Sequence, residues 1–242
     1  MNTDLLCQLK ELWQDAFQEP MEAIDSFFST AFSPERCCYL EEAGKVVSAL
    51  YWFDCRCAGQ KLAYIYALAT LRSHRGKGLA ARLLADTHRR LKDLGYDGAF
   101  LNPADGLFPY YEKQGYKTCG YISRPEVKAA GDPLFLRQVS GEEFFRLRQA
   151  FLPANSAEFT SPVIPFLEGF ARFWAGENCV LCAGTEVYEF LGDLSALPGA
   201  LKTLNLPAAT PVTAGNDIPF LMVCPLSHKM ETPPKYLGLS LE

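Results

Sequence analysis

The sequence predicts a mixed α+β (α/β) fold, a twisted and mostly antiparallel sheet flanked by helices, followed by a smaller α+β unit. Three observations carry this reading. Two short turns, Glu41-Glu42-Ala43-Gly44 and Ala58-Gly59-Gln60, separate strand-like runs rich in β-branched and aromatic residues, the pattern of an antiparallel meander. Apolar residues recur at helical spacing on both sides of that meander. Between them, Arg75-Gly76-Lys77-Gly78-Leu79-Ala80 joins a strand-like run to a helix-like run.

The first helix rests on Leu5, Leu9, Leu12, Trp13, Ala16 and Phe17, and Glu19-Pro20 breaks it. A second helix is expected from Met21 to Ala31, carrying Ile24, Phe27 and Phe28. Strands follow at Cys37 to Leu40, Lys45 to Arg56 and Lys61 to Thr70. The helix after the glycine loop should run from Leu79 to Leu94, with Gly95 as its stop. Gly98 to Leu101 reads as a strand, Leu107 to Gln114 as a helix and Tyr116 to Ile122 as a closing strand. Residues 1–124 thus form one expected domain.

Residues 125–133 have a linker's composition of Pro, Gly, Ala and mixed charges, and residues 134–242 form the expected second domain. It opens with a strand at Leu134 to Val139. Ser140 and Glu143 then give a capping box for a helix reaching Phe151. A helix is expected from Ile164 to Trp174, strands at Cys179 to Ala183 and Glu186 to Leu191, and a helix at Leu197 to Leu204. Thr210 to Ala214 and Phe220 to Cys224 resemble a hairpin around Gly215-Asn216-Asp217, and an irregular tail runs from Lys229 to Glu242.

Composition limits the function. Hydrophobic content of 49% and charged content of 21% describe a globular protein with a real core. A net charge of −5 argues against nucleic acid, which needs a basic surface, and suits a cationic or amine ligand slightly better. The segment Met1 to Phe17 contains acids and lacks the continuous apolar core of a secretion leader. No apolar run has membrane-span length. A cytoplasmic protein without a membrane partner is expected. Among the nine cysteines, Cys179-x-x-Cys182 could suggest redox or metal chemistry. With three histidines in the chain and no second pair at zinc spacing, buried free thiols are the expected reading, and no metal is expected.

The glycine loop carries the chemistry. Glycines at the mouth of a helix let the backbone approach a ligand, and the unpaired N–H groups of the first turn then face an anion. Phosphate is the usual guest, and Arg75 and Lys77 add positive charge. A Walker A loop needs Ser or Thr after Gly-Lys, but Gly78 follows Lys77. A dinucleotide fingerprint opens a parallel βαβ unit, but here the preceding strand ends a meander.

Arg75-x-x-Gly78-x-Ala80, preceded by Leu68-Ala69-Thr70, resembles the coenzyme-A pyrophosphate loop of the GCN5-related N-acetyltransferases (GNAT). About thirty residues downstream, Tyr110-Tyr111-Glu112-Lys113-Gln114-Gly115-Tyr116 resembles the family's second signature. The resemblance covers about residues 4–122 and implies acetyl transfer from acetyl-CoA to an amine by direct attack. By position it implies that the amides of Gly76, Lys77, Gly78, Leu79 and Ala80 hold the pyrophosphate, with Arg75 beside it. The backbone of Leu68 and Thr70 would pair with the pantetheine arm at a bulge, and the Leu68 N–H would polarise the thioester carbonyl. Asn102 would contact the pantetheine. Tyr111 would protonate the departing thiolate, a transfer between groups of ordinary pKa ~10 and ~8.5.

Glu22, Asp25, Glu41 and Asp54 are base candidates, none preferred, and His74 and His88, the latter on a polar helix face, receive no catalytic role. Phe27, Phe28, Tyr51 and Trp52 are candidate acceptor-pocket residues. The acceptor would be a small-molecule or peptide amine. A non-catalytic acyl-CoA sensor or scaffold is the alternative function. Leu136-Arg137-Gln138-Val139 and the helix with Arg146-x-Arg148 resemble the opening of a degenerate second copy, as in acetyltransferases similar to the enhanced-intracellular-survival group. That copy would wall the acceptor pocket or build a homodimer. In that group the terminal carboxylate can enter the active site, which would involve Ser240-Leu241-Glu242. The chain is too short for their further sterol-carrier-like domain.

Overall fold

The computed structural model describes residues 3–239. In chain order the first elements are α1 (Thr3–Phe17), α2 (Met21–Thr30), β1 (Cys37–Glu42), β2 (Lys45–Cys57), β3 (Gln60–Thr70), α3 (Leu79–Asp93), β4 (Gly98–Leu101), α4 (Phe108–Lys113) and β5 (Lys117–Ser123). There follow β6 (Val127–Lys128), β7 (Arg137–Val139), α5 (Gly141–Arg148), β8 (Glu158–Phe159), α6 (Ile164–Glu168), β9 (Arg172–Ala175), β10 (Cys179–Ala183) and β11 (Val187–Gly192). The last are α7 (Leu197–Leu204), β12 (Ala208–Ala209), β13 (Thr213–Ala214) and β14 (Ile218–Pro225). Two compact units divide the chain. The first comprises Met1–Thr118, Ala157–Val163 and Leu221–Pro233; the second comprises Cys119–Ser156, Ile164–Phe220 and Pro234–Glu242.

In the first unit β1, β2 and β3 form the expected antiparallel meander. Ala43-Gly44 and Ala58-Gly59 close its two hairpins, all four residues at positive φ. Two consecutive positive-φ residues give the turn whose twist matches that of the strands. The α3 crossover then lays β4 parallel to β3, and residues 222–225 of β14 pair antiparallel with β4, from Met222 opposite Leu101 to Pro225 opposite Gly98. β8 pairs with β2 beyond the end of β1, with Phe159 opposite Cys55. On one face of the sheet, Leu83, Leu84 and Leu91 of α3 are buried against Leu50, Trp52, Ala63 and Ile65. Each such leucine contributes about 1.5–3 kcal/mol by leaving water. On the other face, Trp13 of α1 and Phe27 of α2 stack against Tyr51 and Tyr66.

The hairpin expected between residues 210 and 224 does not form. β13 pairs with Ile122 and Ser123 of β5, while β14 pairs with β4. Each run has a strand's composition, but a ladder partner far away in sequence outweighs the local turn. The start of the irregular tail, up to Pro233, belongs to the first unit and is tied down there. The Gln60 amide donates to Thr232 O at 2.7 Å and accepts from the Glu231 and Thr232 amides at 2.6 and 3.2 Å.

The second unit holds a four-stranded sheet in the order β11-β10-β9-β7, antiparallel throughout. Ser140 caps α5 by accepting from the Glu143 amide at 3.2 Å. Phe144 stacks on Phe173 of β9 at 4.7 Å. The helix expected through Trp174 ends at Glu168, and residues 172–175 form β9 instead. Gly169 stops the helix, and Phe173 and Ala175 alternate inward as a strand requires. Val127 and Lys128, in the stretch of linker composition, pair with β12. Arg148 and Glu189 are 1% and 0% exposed and form a bidentate ion pair, both bonds 2.7 Å. Arg148 also donates to Leu237 O at 2.7 Å, and the Tyr236 hydroxyl donates to Glu189 at 3.1 Å.

Candidate active site

The site is assembled in the first unit from the ends of β3, β4 and α3. Ala49 pairs with Ala69 but Tyr51 pairs with Tyr66, so Leu50 faces the two residues Ala67 and Leu68. This is a β-bulge with its extra residue on β3, and Ala67 takes φ +49° to make it. The ladder between β3 and β4 runs only from Leu62–Gly98 to Tyr64–Phe100. Beyond Tyr64 the two parallel strands part. Among the described residues, the β4-facing side of Ile65 to Thr70 therefore carries backbone polar groups without a ladder partner. An extended ligand arm can use such groups as a neighbouring strand would.

The glycine loop follows at the same end. Leu71 N–H donates to Val47 O at 3.0 Å and fixes the exit from β3. Gly76 and Gly78 lie at φ +79° and +76°, and a Cβ added at either would meet nothing within 4 Å. The glycines serve conformation, and the space before them is open. Gly78 caps α3 without a side-chain hydrogen bond, and the first intrahelical amide is that of Arg82. The N–H groups of Leu79 and Ala80 thus have no helical acceptor, and the dipole of a 15-residue helix favours an anion there. Arg75, Gly76, Lys77 and Gly78 are exposed, while the Leu79 side chain is buried and anchors the turn. Arg75 is held by Thr70 O at 3.3 Å and Ala16 O at 3.4 Å, so it sits at the junction of loop, strand and first helix. The Thr70 hydroxyl meets Ser48 Oγ at 2.9 Å.

Tyr111, on the single turn and a half of α4, is 8% exposed. Its ring lies 5.1 Å from Tyr110 and 5.6 Å from Tyr116. Leu68 packs against the same apolar cluster that contains Tyr111, Leu83, Leu84 and Leu101. Burial, then the neighbouring Tyr110, pushes the Tyr111 phenol up to about 12, so it is protonated at neutral pH. Asn102 is half-buried at the end of β4. Leu68 and Tyr111 thus share one apolar cluster, which Leu83 and Leu84 of α3 join, while the loop residues Arg75 to Ala80 lie outside it.

The base candidates separate. Asp25 pairs with Lys10 at 2.7 Å. Asp54 accepts from the Tyr96 hydroxyl and lies 3.6 Å from Arg36. Glu22 and Glu41 are exposed. Trp52 leaves the acceptor-pocket set, because strand alternation turns it onto the α3 face, where its Nε1 donates to Tyr96 at 3.3 Å. His88 is half-buried, not on a polar face: the Tyr116 hydroxyl meets its Nε2 at 2.8 Å, and burial lowers its pKa to about 4. Cys179 and Cys182 stand three apart on β10, so their side chains leave opposite faces. Ser240, Leu241 and Glu242 lie outside the described residues. A cavity of about 350 Å³ in the second unit, bordered by Tyr121, Asn216 and Lys235, contains none of the predicted site residues. Sequence reasoning did not single out Tyr66, which by its register with Tyr51 immediately precedes the bulge.

The family described as Acetyltransferase (GNAT) domain matches residues 1–119. This stretch is a GNAT acetyltransferase domain. The chemistry of the GNAT fold family is acyl transfer, and the bulged, splayed strands lie inside the matched region. No curated protein matches the chain in sequence. Among solved structures, a GCN5-related N-acetyltransferase from Anabaena variabilis aligns with a TM-score of 0.71 at 15% identity, covering 93% of this chain and 71% of that one. Eis1 from Mycobacterium abscessus gives 0.65 at 10% identity, with 93% and 72% covered. A Pyrococcus horikoshii structure gives 0.62 at 13%, with 99% and 93% covered. At these identities the likeness is one of fold, and it extends past the GNAT domain into the second half. Among the described residues no helix is long and apolar enough to cross a membrane.

Proposed function

We propose that the chain transfers an acetyl group from acetyl-CoA to a primary amine of a small molecule or peptide. The observation that carries this is the convergence of the β3 bulge, the parted β3 and β4 strands and Tyr111 on one cluster. The residues present fit the group. The amides of Gly76, Lys77, Gly78, Leu79 and Ala80, with Arg75, would hold the pyrophosphate. The backbone of Leu68 and Thr70, with Asn102, would hold the pantetheine arm. When bound, acetyl-CoA supplies an activated acetyl thioester.

The protein's part is orientation, polarisation and proton supply. The Leu68 N–H is the donor toward the carbonyl oxygen as it gains charge under attack by the amine nitrogen. The Tyr111 hydroxyl donates its proton to sulfur as the carbon–sulfur bond breaks. Such general-acid assistance is worth about 10²–10⁴ in rate. The attacking nitrogen gives up its proton to water or to an exposed carboxylate at the rim.

Calorimetry with acetyl-CoA tests the binding half of this reading, and no heat of binding would sink it. Thiol release in a Tyr111→Phe variant tests the chemistry. Retained acetyl-CoA affinity with turnover lowered by about 10²-fold or more supports the acid role. Unchanged turnover removes Tyr111 from the mechanism. Full-strength binding by the native protein with no transfer to any amine favours a non-catalytic acyl-CoA sensor.

A further inference from the structure

The end of α1 reaches across to the segment that leads into the glycine loop. Asp15 Oδ2 accepts from the Arg72 backbone N–H at 2.7 Å, over a separation of 57 residues. Ala16 O accepts from the Arg75 guanidinium at 3.4 Å, and the same side chain donates to Thr70 O at 3.3 Å. Gln18, at φ +60° just past the helix, turns its amide oxygen to the Arg72 guanidinium and accepts at 2.7 and 3.1 Å. Residues 15, 16 and 18 therefore hold the backbone and both arginines of the segment between β3 and Gly76.

That segment needs an external hold. It makes one short helical turn, Arg72–His74, whose entry has no side-chain cap of its own. The Arg72 N–H is one of the donors that a helix start leaves without an internal acceptor. Asp15 fills that place from a distance, as a capping carboxylate does locally. The chain passes from this turn directly into Arg75 and Gly76, so the loop takes its direction where Asp15 grips it. The helix side of the grip is rigid, because Leu9, Leu12 and Trp13 seat α1 with 0%, 1% and 2% exposure.

The carboxylate stands in a place that is otherwise unfavourable to it. The last turn of α1 holds no basic residue, and the negative end of the helix dipole disfavours an acid there. The loop that it steadies is an anion cradle, and a nearby carboxylate repels an anion. Neither the helix nor a phosphate gains from the charge of Asp15. Only the bond to Arg72 does.

We infer that Asp15 is a positioning residue for cofactor binding: it holds the Arg72 turn so that the amides from Gly76 to Ala80 point at the pyrophosphate. The inference rests on the acetyl-CoA reading of the loop. The role is directional, and it separates from an effect of charge. Asn keeps an oxygen for the Arg72 N–H and drops the charge, whereas Ala drops both.

Calorimetry on the full chain measures the acetyl-CoA Kd of the native protein, Asp15→Ala and Asp15→Asn. Asp15→Ala should raise Kd about five- to tenfold, the size of a lost cap. Asp15→Asn should match the native Kd or fall below it. In turnover, the acetyl-CoA KM should follow Kd, while kcat and the amine KM stay level. The melting temperature of Asp15→Ala should hold or rise, because alanine suits this helix end better than an acid. Equal effects in the two variants, in either direction, overturn the inference. So does a loss in Asp15→Ala that is shared by kcat, the amine KM and the melting temperature, since that is general damage. If the native protein binds no acetyl-CoA, the cofactor reading falls, and hydrogen exchange of the free protein decides the brace. Faster exchange at residues 72–80 in Asp15→Ala, restored in Asp15→Asn, upholds it. Unchanged exchange overturns it.

Discussion

Tyr111 and His88 show how burial sets the charge state of single side chains. The Tyr111 phenol is held up at about 12, so it remains an acid well above the pH where an ordinary tyrosine titrates, about 10. The kcat–pH profile should therefore stay level up to about pH 10 on its alkaline side. A descending limb near pH 9–10 that vanishes in Tyr111→Phe would contradict this environment. His88 runs the other way. Its folded pKa of about 4 lies below the ordinary 6.5, so the unfolded chain binds the extra proton first as pH falls. Its contribution is complete above about pH 6.5 and is lost as pH falls through 4, up to about 3 kcal/mol. Melting temperatures followed from pH 7 to pH 4 should fall less steeply for His88→Gln than for the native chain.

At the scale of elements, the decisive unit is the β3 bulge, glycine loop and α3. Gly78 takes a left-handed backbone with open space around its missing side chain. Gly78→Ala should cost about 1–2 kcal/mol of stability through backbone conformation alone. It should also weaken acetyl-CoA binding, because the loop amides lose their common aim. Urea melts and calorimetry measure the two effects, and unchanged affinity would remove the loop from the site. Much of this element was legible in sequence. Two hairpins and the loop are dictated by residues within four positions of one another, and turn chemistry is local. Alternation requires that Tyr51 and Trp52 face opposite sides of the sheet, and only the structure decides which one packs under α3, namely Trp52. The β9 strand was missed because Phe173 and Trp174 extend an apolar run that fits either period until Gly169 is read as a stop. Tyr66 escaped notice because nothing local marks it; only the register with Tyr51 shows that it flanks the bulge.

At the scale of the molecule, the second unit is organised around charge in its own core. Arg148, Glu189 and Tyr236 bind one another and the Leu237 carbonyl with almost no exposure. Removing one member strands the other, so Arg148→Met should cost about 3–5 kcal/mol. Replacing both, Arg148→Met with Glu189→Leu, should recover much of that loss because apolar packing tolerates the exchange. Chemical denaturation of the three variants checks the pattern. The sequence gives no sign of this pair, since its members stand 41 residues apart in a capped helix and a strand of ordinary composition.

The pairing of Leu101 with Met222 also fixes a timetable. β4 leaves the ribosome early, but the strand that covers its outer side is made last among the sheet's members. At about 5–20 residues per second, synthesis of the intervening chain takes roughly 6–24 s. During that interval the Gly98–Leu101 strand, wholly apolar, has a bare flank that another chain can pair with. A fragment ending at residue 119 makes this condition permanent. It should be recovered mainly as aggregate, whereas co-expression of a segment carrying residues 218–233 should return part of it to the soluble fraction. The sheet of the GNAT domain is thus completed on this side only after residues 222–225 have been made.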